Sequence, residues 1–297
     1  MIVATSISKV RETINNVKQK NKLIGFVPTM GALHQGHLSL VRKAKKETDF
    51  VVVSIFVNPT QFGENEDYNS YPRHFKRDKE ILKQEKVDMV FYPSVRTMYP
   101  EDFSVYVKET SLSKYLCGKT RKGHFQGVCT VVTKLFNIVQ PHISYFGQKD
   151  YQQAQIVKRL VRDLNFPIKI KVLPIVRERS GLAMSSRNNY LTQEERERAS
   201  YLFRGLKLGE ELIKKGEKKA HLITEEMRRF INKHVSSKID YINIVDPYTL
   251  KDVDIIEGKV LIALAVYVGK ARLIDNLIVN PGGSRKSSIK GKGRRFF

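Results

Sequence analysis

The 297-residue chain has no tryptophan, only two cysteines, and only 30 acidic side chains against 53 lysines and arginines. Each scarcity excludes something. Cys117 and Cys129 cannot build a disulfide framework, and neither stands at metal-ligand spacing from the seven histidines. The longest apolar runs, Val51 to Val57 and Val260 to Val268, fall well short of the roughly 20 residues that span a bilayer. The amino terminus lacks a basic segment followed by a long apolar stretch, so no export signal is read, no membrane partner is expected and the expected location is the cytoplasm. No internal repeat is visible.

What is present is core-forming material and charge. A hydrophobic content of 41% at this length supplies a substantial core and fits two ordinary domains, or one large one, of a globular soluble protein. The formal charge of +23 suggests a nucleic-acid or acidic-membrane partner. Lysine and arginine are nevertheless spread through the whole chain. Residues 281–297 add Arg285, Lys286, Lys290, Lys292, Arg294 and Arg295 with no acidic residue, and read as a disordered basic tail. The preferred reading is a lysine-rich surface together with an anionic substrate, with nucleic acid as the disfavoured partner.

Residues 22–58 run from an apolar stretch (Leu23 to Val27) through a Pro/Gly turn and a helical pattern (37–47; Leu38, Val41 and Ala44 or Lys45) to a second apolar stretch (Phe50 to Val57). That is a βαβ unit, and strands apolar without alternation belong to a parallel sheet covered on both faces. The theme continues with a charged helix over 73–86, a strand over 88–92, a helix over 127–139, a strand over 143–146, a helix over 152–164 and a strand over 169–176. The expected fold is α/β, an open doubly wound parallel sheet. Past Arg187 the texture changes. Thr192 and Glu195 form a capping box opening a helical region to about Lys215, followed by a helix over 222–234 and strands over 241–245, 259–268 and 271–279, a smaller α+β unit. The expected domains are 1–177 and 178–280.

Pro28-Thr-Met-Gly-Ala-Leu-His34-Gln-Gly-His37 lies where the first of these strands ends and a helix begins, the usual ligand position in open α/β sheets. Free N–H groups and the helix dipole attract phosphate there, and Gly31 and Gly36 let backbone approach closely. Two histidines three apart at a helix start can aim ring N–H donors at one phosphoryl group. Neither a Gly-x-Gly-x-x-Gly fingerprint nor a Gly-x-x-x-x-Gly-Lys-Ser/Thr loop is present; Gly118-Lys119-Thr120 has Ser113 where the latter needs its first glycine.

His34-Gln-Gly-His37 resembles the His-x-Gly-His signature of the nucleotidyltransferase superfamily, and Met184-Ser185-Ser186-Arg187 is similar to its second, Met-Ser-Lys-Ser-like loop. Longer strings narrow the resemblance. Val27 to His37, Phe56-Val-Asn-Pro-Thr-Gln-Phe62, Gly123-His-Phe-Gln-Gly-Val128, Tyr145-Phe-Gly-Gln-Lys-Asp-Tyr-Gln-Gln153 and Met184 to Asn188 all resemble the pantothenate synthetase family, over about residues 1–280. The resemblance implies a Rossmann-like sheet domain with a smaller domain closing over it. It implies that a pantoate carboxylate attacks the α-phosphate of Mg-ATP and that β-alanine then attacks the pantoyl adenylate, giving pantothenate and AMP. It also implies a homodimer through the sheet domain.

Carried onto this sequence, the resemblance assigns Met30, Gly31, Ala32, Leu33, His34, Gln35, Gly36 and His37 to ATP, with His37 as catalytic proton donor and His34 beside the phosphates. Gly147, Gln148, Lys149 and Asp150 match a second ATP segment, Lys149 on phosphate oxygens and Asp150 on the ribose. Val176, Met184, Ser185, Ser186 and Arg187 complete the nucleotide site, with Arg187 and the serines on the leaving pyrophosphate. Gln61 and Gln153 match the pantoate glutamines, Gln61 also lying toward β-alanine, and Asn58, Arg121 and His124 are further candidates for that pocket. Mg2+ is implied by ATP chemistry; no carboxylate cage is evident, no metal ligand is assigned, and Asp78 has at most a supporting role. The chain departs from the family pattern at Gln148 (often Glu), Met184 (often Leu) and Lys122 (often Pro), none of which removes a reacting group. Competing readings are another adenylyl-transferring enzyme of the superfamily and a nucleic-acid-binding protein.

Overall fold

The computed structural model of the chain describes residues 1–64, 66–235 and 237–282. The first half runs β1 (Ile2–Ala4), α1 (Ile7–Gln19), β2 (Ile24–Thr29), α2 (Gln35–Glu47), β3 (Phe50–Ile55), α3 (Phe75–Gln84) and β4 (Met89–Phe91). Two single-turn helices, α4 (Val95–Met98) and α5 (Cys117–Thr120), precede α6 (His124–Val139), β5 (Ile143–Gly147), α7 (Tyr151–Asp163) and β6 (Lys169–Leu173). Then come α8 (Gln193–Ala199), α9 (Tyr201–Lys214) and α10 (Ala220–His234), and last β7 (Ser237–Val245), β8 (Val260–Val268) and β9 (Ala271–Val279).

The first six strands form one parallel sheet in the order β1-β4-β3-β2-β5-β6, and the last three an antiparallel sheet in the order β7-β8-β9. The parallel sheet is buried on both faces, as its unbroken apolar runs require. Phe26 and Val52 enter the core shared with α1, α6 and α7, while Val27, Val51 and Val53 enter the core shared with α2 and α3. Strand order reverses between β2 and β5, so the carboxyl ends of those strands border the crevice where such sheets take ligands.

β8 is likewise buried on both faces. Val260, Ile262, Leu264 and Val266 pack with α9 and α10, whereas Leu261 and Ala263 join Val245 and Leu250 in the large core of the parallel sheet. The small sheet is therefore docked against the large one, with one hydrophobic face for each neighbour.

Some expectations shift for identifiable reasons. β1 and α1 lie outside the expected elements, although Ser6 caps α1 by accepting from the Lys9 N–H and Val10, Ile14 and Val17 are buried at helical spacing. Strand β6 stops at Leu173 because Pro174 has no N–H for a ladder, and β4 stops short of Pro93. The helix expected from 127 starts at His124, because Gly123 takes the left-handed backbone (φ 80°) that precedes its first turn. The Thr192–Glu195 capping box is formed, but the helical region breaks at Ser200 into α8 and α9. Gly118-Lys119-Thr120 sits in the single turn α5, not after a strand. No helix among the described residues is long and apolar enough to cross a membrane, and both cysteines are buried and free. The basic tail from 283 onward lies outside the described residues.

Gly127 shows how closely α6 approaches the site. A Cβ there would lie 2.2 Å from the Thr60 carbonyl oxygen and 2.6 Å from the Gln61 nitrogen, so only glycine lets the helix touch the turn that carries Gln61. Gly127→Ala is expected to destabilise the fold by about 2 kcal/mol, read as a lowered denaturant midpoint, and an unchanged midpoint would refute this packing.

Candidate active site

The loop after β2 is held by one carboxylate. Gly31 and Ala32 both have left-handed backbone (φ 84° and 49°), which turns the chain sharply from strand to helix. A side chain at Gly31 would come within 3.0 Å of Asp78 Oδ2 and of Ile55, so both conformation and space demand glycine. The N–H groups of Ala32 and Leu33 donate to Asp78 Oδ2 and Oδ1 at 2.8 and 2.9 Å. Asp78 is buried in α3, and its two oxygens clamp the loop rather than face the crevice.

This clamp delivers the two histidines to the start of α2. His34 is the N-cap residue, its Nδ1 accepting from the Gly36 N–H at 3.1 Å, and His37 Nδ1 accepts from the His34 N–H at 3.4 Å. The rings lie 4.1 Å apart. A ring nitrogen that accepts a backbone N–H carries no proton, so each neutral imidazole holds its hydrogen on Nε2, the nitrogen left for a ligand. Burial, with Lys149 adding to it, pulls His34 down to about 4. Burial, then His34 and Lys149, holds His37 well below the usual histidine range. Both rings are thus neutral Nε2–H donors at pH 7.

The crevice continues along the switch point. Gly147 ends β5 and Lys149 and Asp150 follow it on the crevice wall, with Lys149 Nζ 3.7 Å from Asp150 Oδ1. Met30, Gly36 and Val176 line it too, as do Met184, Ser185, Ser186 and Arg187. Ser186 Oγ donates to the Ala32 carbonyl at 3.1 Å, tying the late loop to the early one. Arg187 forms a two-pronged pair with Asp67, Nε to Oδ2 at 2.9 Å and Nη2 to Oδ1 at 2.7 Å.

At the other end stand Asn58, Gln61 and Gln153. The Asn58 amide donates to Gln61 Oε1 at 3.1 Å and to the Gly127 carbonyl at 3.2 Å, and Tyr99 OH donates to Asn58 Oδ1 at 2.8 Å. The Gln61 carboxamide is therefore oriented before any ligand arrives.

Not every candidate reaches the crevice. Ala32 and Leu33 contribute the backbone amides held by Asp78, and Gly31 borders a separate cavity beside α3. The Gln35 amide accepts from Arg42 Nη1 at 3.1 Å, and Gln148 donates to Asn276 at 3.3 Å. Arg121 is paired with Glu66, and its Nη1 meets His124 Nε2 at 2.9 Å while His124 Nδ1 donates to the Gln61 carbonyl at 2.7 Å. Both His124 nitrogens are thus occupied within the protein, and Arg121 and His124 line a small adjoining cavity behind Lys149 and Gln153. Sequence reasoning missed Asp67, Tyr71, which lines the crevice with its ring 5.7 Å from the Arg187 guanidinium, and the clamping role of Asp78. Their partners lie far away along the chain, and no local spacing signals them.

Helix-start donors, a lysine and an arginine line a crevice at the switch point of a parallel sheet, an arrangement suited to a phosphate-bearing ligand in an α/β protein. A family model described as Pantoate-beta-alanine ligase matches residues 2–278. The chain is 57% identical over 279 residues to a pantothenate synthetase of Thermotoga petrophila, covering 94% of this chain and 100% of that one. It is 59% identical over 276 residues to a pantothenate synthetase of Fervidobacterium nodosum, covering 91% and 98%. The crystal structure of pantothenate synthetase from Thermus thermophilus superposes with a TM-score of 0.88 at 43% identity, covering 93% of this chain and 99% of that one. That of pantoate-beta-alanine ligase from Francisella tularensis, complexed with beta-gamma ATP and beta-alanine, gives 0.77 at 38% identity, covering 95% and 99%. The chain belongs to the pantoate-beta-alanine ligase family.

The buried histidines also set an acid limit on the fold. His124 is pulled down to about 3, first by burial and then by Arg121, and His34 to about 4. As pH falls below about 6.5 the unfolded chain takes up these protons while the folded chain does not. The stabilisation is thus complete above that pH and is lost as pH falls toward 4 and 3. At pH 4.5 each histidine should weaken the fold by about 2 kcal/mol relative to pH 7.5. His124→Gln should flatten this slope in urea unfolding at the two pH values; an unaltered slope would contradict the buried neutral ring.

Proposed function

We propose that this chain condenses pantoate with β-alanine to pantothenate, cleaving ATP to AMP and pyrophosphate, as a ligase that forms a carbon–nitrogen bond. The observation that carries this reading is the pair of neutral Nε2–H donors, His34 and His37, fixed at a helix start beside Lys149 in a chain of this family. In the first step a carboxylate oxygen of pantoate attacks the α-phosphorus, the bond to the β-phosphate oxygen breaks, and pyrophosphate leaves with the electron pair. In the second the β-alanine nitrogen attacks the acyl carbon of the pantoyl adenylate, the carbon–oxygen bond to AMP breaks, and the amine loses a proton.

The residues divide accordingly. His34, His37 and Lys149 meet the charge that builds on the phosphoryl oxygens, where preorganised donors contribute most. Asp150 faces the ribose. Ser185, Ser186 and Arg187 receive the pyrophosphate; the pair with Asp67 uses Arg187 Nε and Nη2, leaving Nη1 for a phosphate oxygen. Gln61, steadied by Asn58, and Gln153 orient pantoate by neutral hydrogen bonds that leave its carboxylate nucleophilic. ATP enters as its magnesium complex. Asp78 and Asp67 are engaged by the loop amides and by Arg187.

Residues 1–177 act as the catalytic domain and 178–280 as a smaller domain closing over it, a division supported by the late loop, whose Ser185, Ser186 and Arg187 complete the crevice wall and whose Ser186 reaches the Ala32 carbonyl. Closure excludes water from the mixed anhydride. The enzyme works in the cytoplasm, with ATP at hand, as a homodimer through the parallel-sheet unit. Supporting the dimer, β1 is an edge strand with Ile2 and Val3 39% and 36% exposed, and the segment after Asp102 leaves Val105 74% exposed.

With Mg-ATP, pantoate and β-alanine together, AMP should form in step with pantothenate, and no ADP. His37→Ala should lower ATP–pyrophosphate exchange by about 100- to 1000-fold with the fold intact, and exchange near the unaltered level would exclude its role. Gln61→Ala should raise KM for pantoate more than KM for ATP; an equal rise in both would remove it from the pantoate pocket. Sedimentation at micromolar concentration should give twice the chain mass, and Val105→Asp should shift it toward the monomer; a monomer in the unaltered protein would exclude the dimer.

A further inference from the structure

Two adjacent polar residues in the middle of β9, Asp275 and Asn276, are buried at 4% and 3% exposure. Neither belongs to the crevice wall described above. Buried polar side chains in a strand must find partners, and both find them in the segments that carry the nucleotide site.

Asn276 uses its whole carboxamide on the turn after β5. Its Nδ2 donates to the carbonyls of Gln148 and Lys149, each at 3.0 Å, and its Oδ1 accepts from Gln148 Nε2 at 3.3 Å. That turn is three residues long, has no side-chain cap, and presents Lys149 and Asp150 to the crevice. Two of its carbonyl groups are therefore fixed by a side chain more than a hundred residues further along the chain.

Asp275 acts on the other nucleotide segment. It holds Arg177 through two bonds of 2.6 and 2.9 Å, and Arg177 also donates to the Gly181 carbonyl at 3.1 Å and stacks 3.8 Å over Phe203. Arg177 directly follows Val176, whose carbonyl accepts the Met184 N–H at 3.0 Å. The hairpin leading into Met184 to Arg187 is thereby tied to the same point on β9. Asp275 Oδ1 also accepts the Asn276 N–H at 2.7 Å, which joins the two tethers.

We propose that Asn276 is a positioning residue for the ATP-using step, setting the direction of Lys149 by clamping the two carbonyls before Asp150, while Asp275 sets the Val176–Met184 hairpin against it. The small sheet is then part of the nucleotide site. This inference rests on the reading of the crevice as an ATP site. It makes a demand that simple cohesion between the two sheets does not: the loss on removing Asn276 must fall on the half-reaction that contains ATP and spare the half-reaction that does not.

The test uses the full chain with Asn276→Ala and Asn276→Ser. Each is measured for ATP–pyrophosphate exchange with pantoate, for single-turnover transfer from preformed pantoyl adenylate to β-alanine, and for thermal unfolding. In Asn276→Ala, KM for ATP in exchange should rise roughly tenfold, with KM for pantoate and the transfer rate within about twofold of the unaltered protein. Asn276→Ser, which keeps a shorter donor, should fall between. Unchanged KM for ATP in both variants, parallel loss in both half-reactions, or failure of both variants to fold would each overturn the positioning role. Absence of exchange in the unaltered protein would instead remove the ATP reading, and this inference with it.

Discussion

Two backbone N–H groups, those of Ala32 and Leu33, leave the end of β2 with no ladder partner, and the buried carboxylate of Asp78 takes both. Without that partner, a left-handed pair at Gly31 and Ala32 would carry backbone strain and unsatisfied donors together. With it, the chain turns from strand to helix in a few residues, and α2 begins where the crevice needs an anion-binding end. The capping arrangement at His34 and His37 follows from the same turn. Because both Nδ1 atoms accept backbone hydrogens, both Nε2 atoms are committed as donors. The chemistry assigned to the histidines is thus a consequence of how one loop satisfies its own backbone.

Charge around the crevice is balanced in pairs. Arg187 faces Asp67, Arg121 faces Glu66, and Arg177 faces Asp275, each within hydrogen-bond reach. Glu66 and Asp67 are neighbours in sequence, so one stretch of loop restrains arginines from two distant parts of the chain. Such pairing keeps basic groups ordered in a protein whose net charge would otherwise push them apart. The net charge of +23 is spread along the chain, whereas burial keeps His34 and His37 neutral.

The small sheet has two tasks that its sequence expresses by strand alternation. One face of β8 completes the core with α9 and α10, and the other closes the large core through Leu261 and Ala263. β9 beside it reaches Arg177 and the turn after β5 through Asp275 and Asn276. Hydrophobic contact brings the sheets together, and hydrogen bonds set their register against the site. Non-directional burial does the first, and only directional bonds do the second.

The amino-acid sequence by itself determined the alternation of buried strands and helices, the strand-turn-helix that carries His34 and His37, the capping box at Thr192 and the strings that mark the family. All of these are local: periodicity, glycine and proline punctuation, and short motifs are read within a dozen residues. β1 and α1 were also legible in principle, from the Ser6 cap and the spacing of Val10, Ile14 and Val17. Only the tertiary structure decided which candidates face the crevice. It kept His34, His37, Lys149, Gln61 and Gln153 on its wall, turned Gln35 and Gln148 to other partners, and enclosed His124 between Arg121 and the Gln61 carbonyl. It also decided that Asp78 clamps a loop. These outcomes depend on hydrogen bonds between residues tens to more than a hundred positions apart, and such pairings are fixed by packing, of which a single sequence carries no local trace.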